Sequence, residues 1–323
     1  WAMLNEVEDF FTRSFTAYTY GGVKNRGPHG YMRIIRKVLK DYPGRTMDYL
    51  LCDIHHFYPT INHSMLKGLL RTRIKDNHLL ERFDEIIDSV EGDIGMFPGT
   101  KLAQFFSLVY LYFFDHDLKR CFYVKDCPAL VEYYTRRYIE ERIVTAKTER
   151  DHEEISKGVQ FLSDKFKGYL DRLDFCYRLA DDVLILHEDT VFLHFVIEWI
   201  GLYYANELKI SLNPKWKVGH VVEGVDTGGY VHFPDYFLVR KRNKVALCRQ
   251  IAKLRKRGLS NEEIRRKASS RMGFIQHANT ENLLNKLGME TPRKRLGQVI
   301  RNKKSPWDDL PADRKIKFED ILY

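Results

Sequence analysis

Two apolar runs separated by a pair of acidic residues form the most distinctive pattern in this chain. The stretch from Tyr177 to Leu186 is apolar and β-prone on both sides of Asp181-Asp182. Such a pattern predicts a strand-turn-strand hairpin with both carboxylates at its tip. A second apolar run, predicted as a strand from Met47 to Asp53, also ends at a carboxylate. The sequence therefore offers two acidic strand ends that lie far apart along the chain.

Apolar residues at helical spacing predict helices along much of the remaining sequence. The helix after the Gly/Pro turn at Gly95 to Thr100 is apolar nearly all round, which favours burial, and its apolar run indicates an end near Asp115. Asn62 is a suitable N-cap, and Ser260 with Glu263 has the spacing of a capping box. The other predicted helices are Trp1 to Phe15, Tyr31 to Tyr42, Met65 to Ile74, Val191 to Asn206, and two or three basic helices from Arg240 onward.

The remaining segments complete an α+β pattern. Leu208 to Asn213 predicts a further strand, and Val225 to Phe233 with Tyr236 to Arg240 predicts a hairpin that turns at Pro234-Asp235. The segment from Lys119 to Arg172 has a helical pattern, is heavily charged and carries no chemical motif. We interpret it as a helical insertion that packs on the main body or projects from it.

Basic residues are concentrated in the C-terminal part. The whole chain has 53 Lys and Arg against 44 Asp and Glu, a net charge of +9. Between Arg240 and Lys304, twenty basic residues stand against four Glu and no Asp, so this segment carries +16 and the rest −7. A polyanion lying along the segment fits this polarity. A solvated basic helix pair is the alternative for any single cation.

The chain of 323 residues, 44% of them hydrophobic, is long enough to bury a full core and to divide into two or more lobes. Its five cysteines lack CxxC pairing, and Cys52 and Cys176 lie in predicted apolar strands, which indicates reduced, buried thiols in a cytoplasmic protein. No signal peptide and no apolar run of membrane-spanning length is apparent, so no membrane partner is expected. Because the sequence begins at Trp1 in mid-pattern, we expect its true N-terminus to be missing.

Two local features suggest chemistry without settling it. Carboxylates at a hairpin tip repel unless a divalent cation lies between them, and oxygen-rich acidic sites suit Mg²⁺. For Asp181-Asp182 alone, a solvated turn is the simpler interpretation. Likewise, the glycine-rich loop from Tyr20 to Gly30, with Lys24 and Arg26, has the composition of a phosphate cradle and equally that of a plain turn before a helix.

Taken in order, these segments resemble a prokaryotic reverse transcriptase, most closely the diversity-generating retroelement or group II intron-like branch. Asp53 to Pro59 resembles motif A of that family, Gly95 to Tyr110 motif B, Leu179 to Asp182 motif C and Gly228 to Tyr230 motif E. Four motifs in the family's order are a specific signal, whereas each is weak alone. The resemblance implies an RNA-directed DNA polymerase with a right-hand fold, in which an antiparallel-sheet palm carries both acidic strands.

The resemblance also implies a two-metal mechanism. One ion activates the primer 3′-hydroxyl and the other holds the nucleotide phosphates, so acids from separate strands must converge. The family pattern assigns the metal ligands to Asp53 and Asp181, with the Ile54 carbonyl assisting and Asp182 beside them as a third catalytic carboxylate. The implied ions are two Mg²⁺, with Mn²⁺ as the alternative.

Further positions match the nucleotide-binding residues of the family. Tyr58 falls where the family has an aromatic gate against a ribose 2′-hydroxyl, and Gln104 falls near the incoming nucleotide. Lys215 or Lys217 matches a phosphate-facing lysine, and Lys24 and Arg26 are candidates for triphosphate contacts. The basic helices correspond to the thumb that grips template and primer, and its candidate phosphate contacts are Arg240, Lys241, Arg242, Arg255, Lys256, Arg265 and Arg266.

The chain departs from the family at four positions: Leu179, Ala103, Leu108 and Gly228 replace the usual tyrosine, serine, asparagine and leucine. These changes keep the metal ligands and remodel the nucleotide pocket. They leave three functions open. The first is an RNA-templated DNA polymerase using dNTPs. The second is an antiviral, defence-associated polymerase that makes repetitive or untemplated DNA on a structured non-coding RNA with an accessory protein. The third is a catalytically silent nucleic-acid-binding scaffold.

The expected domain order follows from the motif positions. Residues 1–46 form fingers that are incomplete at the N-terminus, and residues 47–118 form the palm with motifs A and B. The insertion occupies 119–172, and the palm resumes over 173–239 with motifs C, D and E. The basic thumb covers 240–290, and 291–323 form a C-terminal extension.

Overall fold

The computed structural model describes residues 2–121, 135–166 apart from positions 137, 141 and 145, 173–275 and 277–289. The chain divides into two compact units. The first is drawn from Trp1–Gly22, Cys52–Ile185 and Val191–Trp216, and the second from Val23–Leu51, Leu186–Thr190 and Lys217–Tyr323. Each unit combines helices with strands, as the α+β class requires.

The predicted helices form, and their sequence-encoded caps close as expected. The Asn62 side chain accepts a hydrogen bond from Met65 N at 2.9 Å, and Ser260 with Glu263 forms the capping box. The described helices, in chain order, are α1 Ala2–Ser14, α2 Pro28–Asp41, α3 Phe57–Thr60, α4 His63–Arg73, α5 Asn77–Asp88, α6 Lys101–Tyr110, α7 Tyr112–Cys121, α8 Glu149–Phe166, α9 Thr190–Glu207, α10 Lys241–Lys256, α11 Asn261–Lys267, α12 Ser269–Ile275 and α13 Glu281–Lys286.

The long apolar helix predicted to end near Asp115 is instead two consecutive helices. The helix α6 ends at Tyr110, Leu111 leaves helical geometry, and α7 continues to Cys121. The apolar pattern runs through the break on both sides, so no polar residue marks it in the sequence. The break places Asp115 inside α7 and not at a helix end.

Five strands form one sheet, in the spatial order β1-β3-β4-β2-β5. Their bounds are β1 Thr19–Tyr20, β2 Asp48–Cys52, β3 Phe175–Leu179, β4 Asp182–His187 and β5 Lys217–His220. The pair β2 and β5 is antiparallel, with Leu51 opposite Lys217. The expectation of an antiparallel sheet fails at one edge, where β1 runs parallel to β3 with Thr19 opposite Arg178. The long chain between β1 and β3 removes the hairpin constraint that enforces antiparallel pairing.

The strand predicted over Leu208 to Asn213 does not form. Only Leu212 makes a bridge, to Ile54, because Lys209 has a left-handed φ of +54° that turns the chain. The segment is tied down by individual hydrogen bonds instead. Ile210 N donates to Tyr204 O at 3.0 Å, and the Tyr110 hydroxyl donates to Leu208 O at 2.5 Å.

The second unit contains a three-stranded antiparallel meander, where the sequence predicted one hairpin. Its strands are β6 Val225–Thr227, β7 Tyr230–His232 and β8 Phe237–Val239. The prediction of a single strand over 225–233 was wrong. Gly228 and Gly229 both take positive φ and form a two-residue turn between β6 and β7. The turn at Pro234-Asp235 is confirmed by the hydrogen bond from Phe233 N to Tyr236 O.

Each unit buries its own apolar residues. In the first, aromatic rings from several helices interlock, as where Phe83 meets Phe106 edge-on at 5.4 Å between ring centroids. In the second, one cluster joins α2, the meander and the basic helices, and its buried members include Met32, Tyr230, Phe237, Leu247, Ile251, Ile264 and Met272. The helix α2 therefore packs with the basic helices within one unit.

Two of the described cysteines are buried thiols, as the sequence predicted, whereas Cys248 is only partly buried. Cys52 and Cys176 are free and buried, and burial raises the pKa of the Cys176 thiol to about 12. Cys127 lies outside the described residues, as do parts of the 119–172 insertion and all of 291–323. Across the part of the chain that the structure describes, no helix is both long and apolar enough to cross a membrane.

Candidate metal and nucleotide site

The first acidic strand end lies where the sequence predicted it. Asp53 follows the last residue of β2 directly, and its side chain is half-buried. Its backbone carbonyl accepts a hydrogen bond from Asn213 N at 2.9 Å, and its Oδ2 accepts one from Asn213 Nδ2 at 3.1 Å. On the other side of Ile54, His55 N donates to Ser211 O at 2.9 Å. The chain around Asp53 is thus braced by residues 211–213.

The predicted acidic hairpin also forms, with a small shift of the turn. The turn consists of Ala180 and Asp181, and Asp182 is the exposed first residue of β4. Ala180 has a left-handed φ of +59°, a conformation that favours glycine. Its N–H donates to Tyr20 O at 2.9 Å, which ties the turn to the end of β1.

The two acidic strand ends belong to one unit and lie within range of each other's charge. Burial raises the pKa of the Asp181 carboxyl above its usual value, and the negative charge of Asp53 raises it further. Burial likewise raises the pKa of the Cys52 thiol, with contributions from Asp53 and Asp182. Two carboxylates that oppose each other's ionisation are relieved when a divalent cation binds between them.

The donor set fits an ion that takes few protein ligands. Among the described residues, no group of three His, Cys, Asp or Glu side chains is arranged to hold a metal by itself. Mg²⁺ is usually held by one or two carboxylates, and waters and substrate phosphates complete its shell. Asp53 and Asp181 match that pattern, whereas a zinc site of four side chains does not.

The first unit also brings the start of α6 close to the acidic turn through two glycines. A Cβ placed on Gly21 would lie 2.9 Å from Ala180 N and 3.3 Å from Leu179 Cδ1. A Cβ on Gly22 would lie 3.2 Å from Leu108 Cδ1 and 3.7 Å from the Cβ of Gln104. These glycines lie between the turn and α6, with Gly21 at the turn and Gly22 beside the exposed Gln104.

Tyr58 also belongs to the first unit and lies in the short helix α3, five positions after Asp53. Its side chain is half-buried, and its ring lies 5.8 Å from that of Phe57. His56, in left-handed geometry at φ +49°, turns the chain into this helix.

The predicted phosphate-facing cations are divided between the units. Lys215 is exposed in the first unit, and its N–H donates to Asn213 Oδ1 at 3.0 Å, so one asparagine joins the Lys215 turn to Asp53. Lys217 belongs to the second unit, where its ammonium lies 5.5 Å from the centre of the Tyr49 ring. Lys24 and Arg26 are also in the second unit.

Most of the predicted nucleic-acid contacts are exposed on the basic helices. Exposed positions are Lys241, Arg242, Arg255, Lys256, Arg265 and Arg266. Arg240 is partly buried, and its Nε donates to Asp226 Oδ1 at 2.5 Å. Arg255 donates to the Leu287 carbonyl, which caps the end of α13. These two arginines therefore have structural partners within the second unit.

The sequence-based prediction missed three residues that support the acidic ends: Asn213, Arg178 and Asp115. Arg178 is only 3% exposed and binds Asp115 through two hydrogen bonds. A lone arginine in an otherwise apolar strand was a signal that a buried acid partner was needed. Asn213 gave no comparable signal, because it lies in a polar stretch.

Comparison with known proteins gives remote likenesses. No protein-family model matches the sequence. The chain is 23% identical over 267 residues to Protein YkfC of Escherichia coli (strain K12), a match that covers 78% of this chain and 62% of that protein. The structure of apo telomerase from Candida Tropicalis matches at a TM-score of 0.43 and 12% identity, over 91% of this chain and 50% of that one. The chain thus spans less than two thirds of either protein.

Proposed function

We propose that the chain is an RNA-directed DNA polymerase. The observation that carries the proposal is that Asp53 and Asp181, which are distant in the sequence, lie in one unit and close enough for the charge of Asp53 to raise the pKa of Asp181. Converging carboxylates from separate strands are what two-metal phosphoryl transfer needs. Along the chain, the motif B-like helix α6 lies between Asp53 and Asp181. This order supports a polymerase over a hydrolase with a similar acidic pair.

In this proposal Asp53, Asp181 and the Ile54 carbonyl hold two Mg²⁺ ions, or Mn²⁺, and Asp182 adds negative charge at the rim. When bound, the ions supply activation of the primer 3′-hydroxyl and stabilisation of the leaving pyrophosphate. The protein's own contribution is placement. Asn213 orients the Asp53 carboxylate through Nδ2 and fixes the Lys215 turn through Oδ1.

In this proposal the incoming nucleotide binds beside the acidic turn. Tyr58 acts as the gate that rejects a ribose 2′-hydroxyl, and Gln104 contacts the incoming dNTP or its template base. Lys215 is the best supported phosphate contact, because Asn213 connects it to the metal ligand Asp53. The sequence-based assignment of Lys24, Arg26 and Lys217 as phosphate contacts stays a prediction, because these residues belong to the second unit.

Template and primer bind the basic helices α10 to α12 as a thumb. Counterion release from the phosphate backbone would supply most of this affinity, independent of sequence. The architecture proposed is a right hand, with partial fingers at 1–46, a palm at 47–118 and 173–239, and the thumb at 240–290. An RNA template, a DNA product and dNTPs are the partners this implies.

Three of the four departures from the family's motifs fit the structure around them, which favours an active protein over a silent scaffold. Leu179 and Leu108 pack closely on Gly21 and Gly22: their Cδ1 atoms would lie 3.3 and 3.2 Å from a Cβ at those glycines, so both leucines fill space beside the acidic turn. Gly228, at φ +60°, closes the β6–β7 turn, where leucine would be strained. Because these residues differ from the family's usual ones, a defence-type polymerase acting on a dedicated non-coding RNA is the second candidate function.

The test is Mg²⁺-dependent incorporation of labelled dNTPs, followed by sequencing of the product and of any copurified RNA. On a heteropolymeric RNA template with a DNA primer, the proposal predicts a complementary DNA copy. A repetitive or untemplated product identifies the defence-type reaction. RNA binding without any incorporation identifies a scaffold and refutes the proposal.

A further inference from the structure

A buried ion pair lies directly beneath the acidic turn. Arg178 of β3 and Asp115 of α7 are 3% and 9% exposed. Arg178 Nε donates to Asp115 Oδ1 at 2.7 Å, and its Nη2 donates to Asp115 Oδ2 at 2.6 Å. The Thr19 hydroxyl donates to the same Oδ2 at 2.7 Å. The carboxylate is thus held by three hydrogen bonds in a buried site.

The same guanidinium also reaches the turn. Arg178 Nη1 donates to the Ala180 carbonyl, while the Ala180 N–H is bound to Tyr20 O. Ala180 is therefore held on both of its peptide groups in the left-handed conformation that alanine disfavours. The close approach of Gly21, whose Cβ would lie 2.9 Å from Ala180 N, restricts the turn from a third side. The next residue along the chain is Asp181.

Stability alone does not explain why a charge pair occupies this position. Replacing a buried ion pair with apolar residues of similar volume is often neutral or stabilising, because burying the two charges costs about as much as their attraction returns. An apolar pair, however, has no donor for the Ala180 carbonyl. The feature that only the arginine supplies is its third hydrogen bond, to the turn.

We infer that Arg178, oriented by Asp115 and Thr19, is a positioning residue: it locks Ala180 in left-handed geometry and so presents the Asp181 carboxylate beside Asp53. The inference rests on the proposed function for its chemical purpose, but the positioning itself can be measured without turnover. Removal of Arg178 alone would leave Asp115 buried and unpaired, so the test must replace both partners together.

The decisive variant is Arg178→Met combined with Asp115→Leu. We expect it to unfold as cooperatively as the wild type. Amide hydrogen exchange at Ala180 should become about tenfold faster or more, because the turn opens more readily once its carbonyl has lost the charge-assisted hydrogen bond from Arg178. We expect Mn²⁺ binding, followed by electron paramagnetic resonance without nucleotide, to weaken by about the same factor. The matched control is Arg71→Met with Asp84→Leu, which removes a more exposed pair joining α4 and α5 in the same unit and should change neither quantity.

Arg178→Lys provides the second comparison should the double variant fail to fold. Lysine keeps the charge opposite Asp115 but lacks the planar fork that serves both the carboxylate and the Ala180 carbonyl. Faster exchange at Ala180 and weaker Mn²⁺ binding in a folded variant support the inference. Wild-type exchange and wild-type Mn²⁺ binding in either folded variant overturn it and leave the pair a purely structural feature. If the wild type makes no DNA but amide exchange at Ala180 still depends on Arg178, the proposed function is refuted and the positioning role is retained.

Discussion

The acidic turn and the basic helices use charge in opposite ways. Beneath the turn, Arg178 and Asp115 are buried and paired, and the guanidinium donates to defined acceptors on both the carboxylate and the turn. On α10 to α12 the cations are mostly exposed, and those with a structural partner, such as Arg255 at the Leu287 carbonyl, still lie at the surface. A reaction centre depends on where a charge is, whereas a phosphate grip depends on how many charges there are. Single substitutions should therefore matter at the turn and hardly at all on the helices.

The largest binding effect should come from removing several exposed cations together. Lys241, Lys256 and Arg266 changed jointly to Gln should lower affinity for RNA of any sequence by about a hundredfold at 0.1 M salt. The slope of log K against log salt should fall by about 2 to 3, since each neutralised phosphate contributes about 0.7 to 0.9. Filter binding across a salt series measures both quantities.

The matched control neutralises three cations of the first unit that are already paired with carboxylates, Lys67, Arg71 and Arg82. Affinity and slope should stay at the wild-type values. Equal losses in the two triple variants would show that binding follows net charge alone, and the basic helices would then have no special role.

A buried histidine in the meander extends the contrast. Burial keeps this side chain neutral, whereas buried Arg178 stays charged and is paired with a carboxylate. His232 is 1% exposed, and burial lowers its pKa to about 4 from an ordinary 6.5. Between these values the unfolded chain binds the extra proton, so stability is complete above about pH 6.5 and declines as pH falls toward 4. The loss should reach about 3 kcal/mol at the acid end.

Urea unfolding between pH 4 and 7.5 measures this dependence. The variant His232→Leu, which cannot take a proton, should show a shallower decline below pH 6.5. An unchanged slope in the variant would mean that other groups carry the acid sensitivity.

The smallest effect should come from Asn213, which supports Asp53 with neutral and partly exposed groups. Asn213→Ala deletes the bond from Nδ2 to Asp53 Oδ2 and the acceptor for Lys215 N. The rate of nucleotide incorporation should fall about tenfold, a barrier change of roughly 1.4 kcal/mol, with RNA affinity unchanged. Asn206→Ala, at the exposed end of α9, is the control in the same single-turnover assay. A wild-type rate for Asn213→Ala would leave Asp53 positioned by its backbone alone.

The local features of this site were accessible from sequence, and its supports were not. Alternation of apolar residues and acidic breaks was enough to predict the hairpin at Asp181 and the strand that ends at Asp53. The partners that hold them are separated by 63 positions for Arg178 and Asp115 and by 160 for Asn213 and Asp53. Only tertiary packing brings such residues together, and no local periodicity encodes it.

The errors have the same origin. The break at Leu111 lies within an uninterrupted apolar pattern, so nothing in the local sequence distinguishes one helix from two. In Leu208 to Asn213, apolar and polar residues alternate as in a strand. The left-handed backbone of Lys209 prevents that strand from forming. At Gly228-Gly229 the signal for a turn was present, and interpreting the pair as part of a motif within one strand obscured it.

The measurement that tests the central claim most directly is the rate of Mg²⁺-dependent DNA synthesis on an RNA template by Asp181→Asn beside Asp235→Asn. Both substitutions remove one carboxylate from a turn, but only Asp181 lies beside Asp53, whereas Asp235 is exposed in the β7–β8 turn. We predict that Asp181→Asn lowers the rate by about a thousandfold or more, roughly 4 kcal/mol of barrier, with folding and RNA affinity retained, while Asp235→Asn matches the wild type. Synthesis by Asp181→Asn within about tenfold of the wild-type rate would contradict the account.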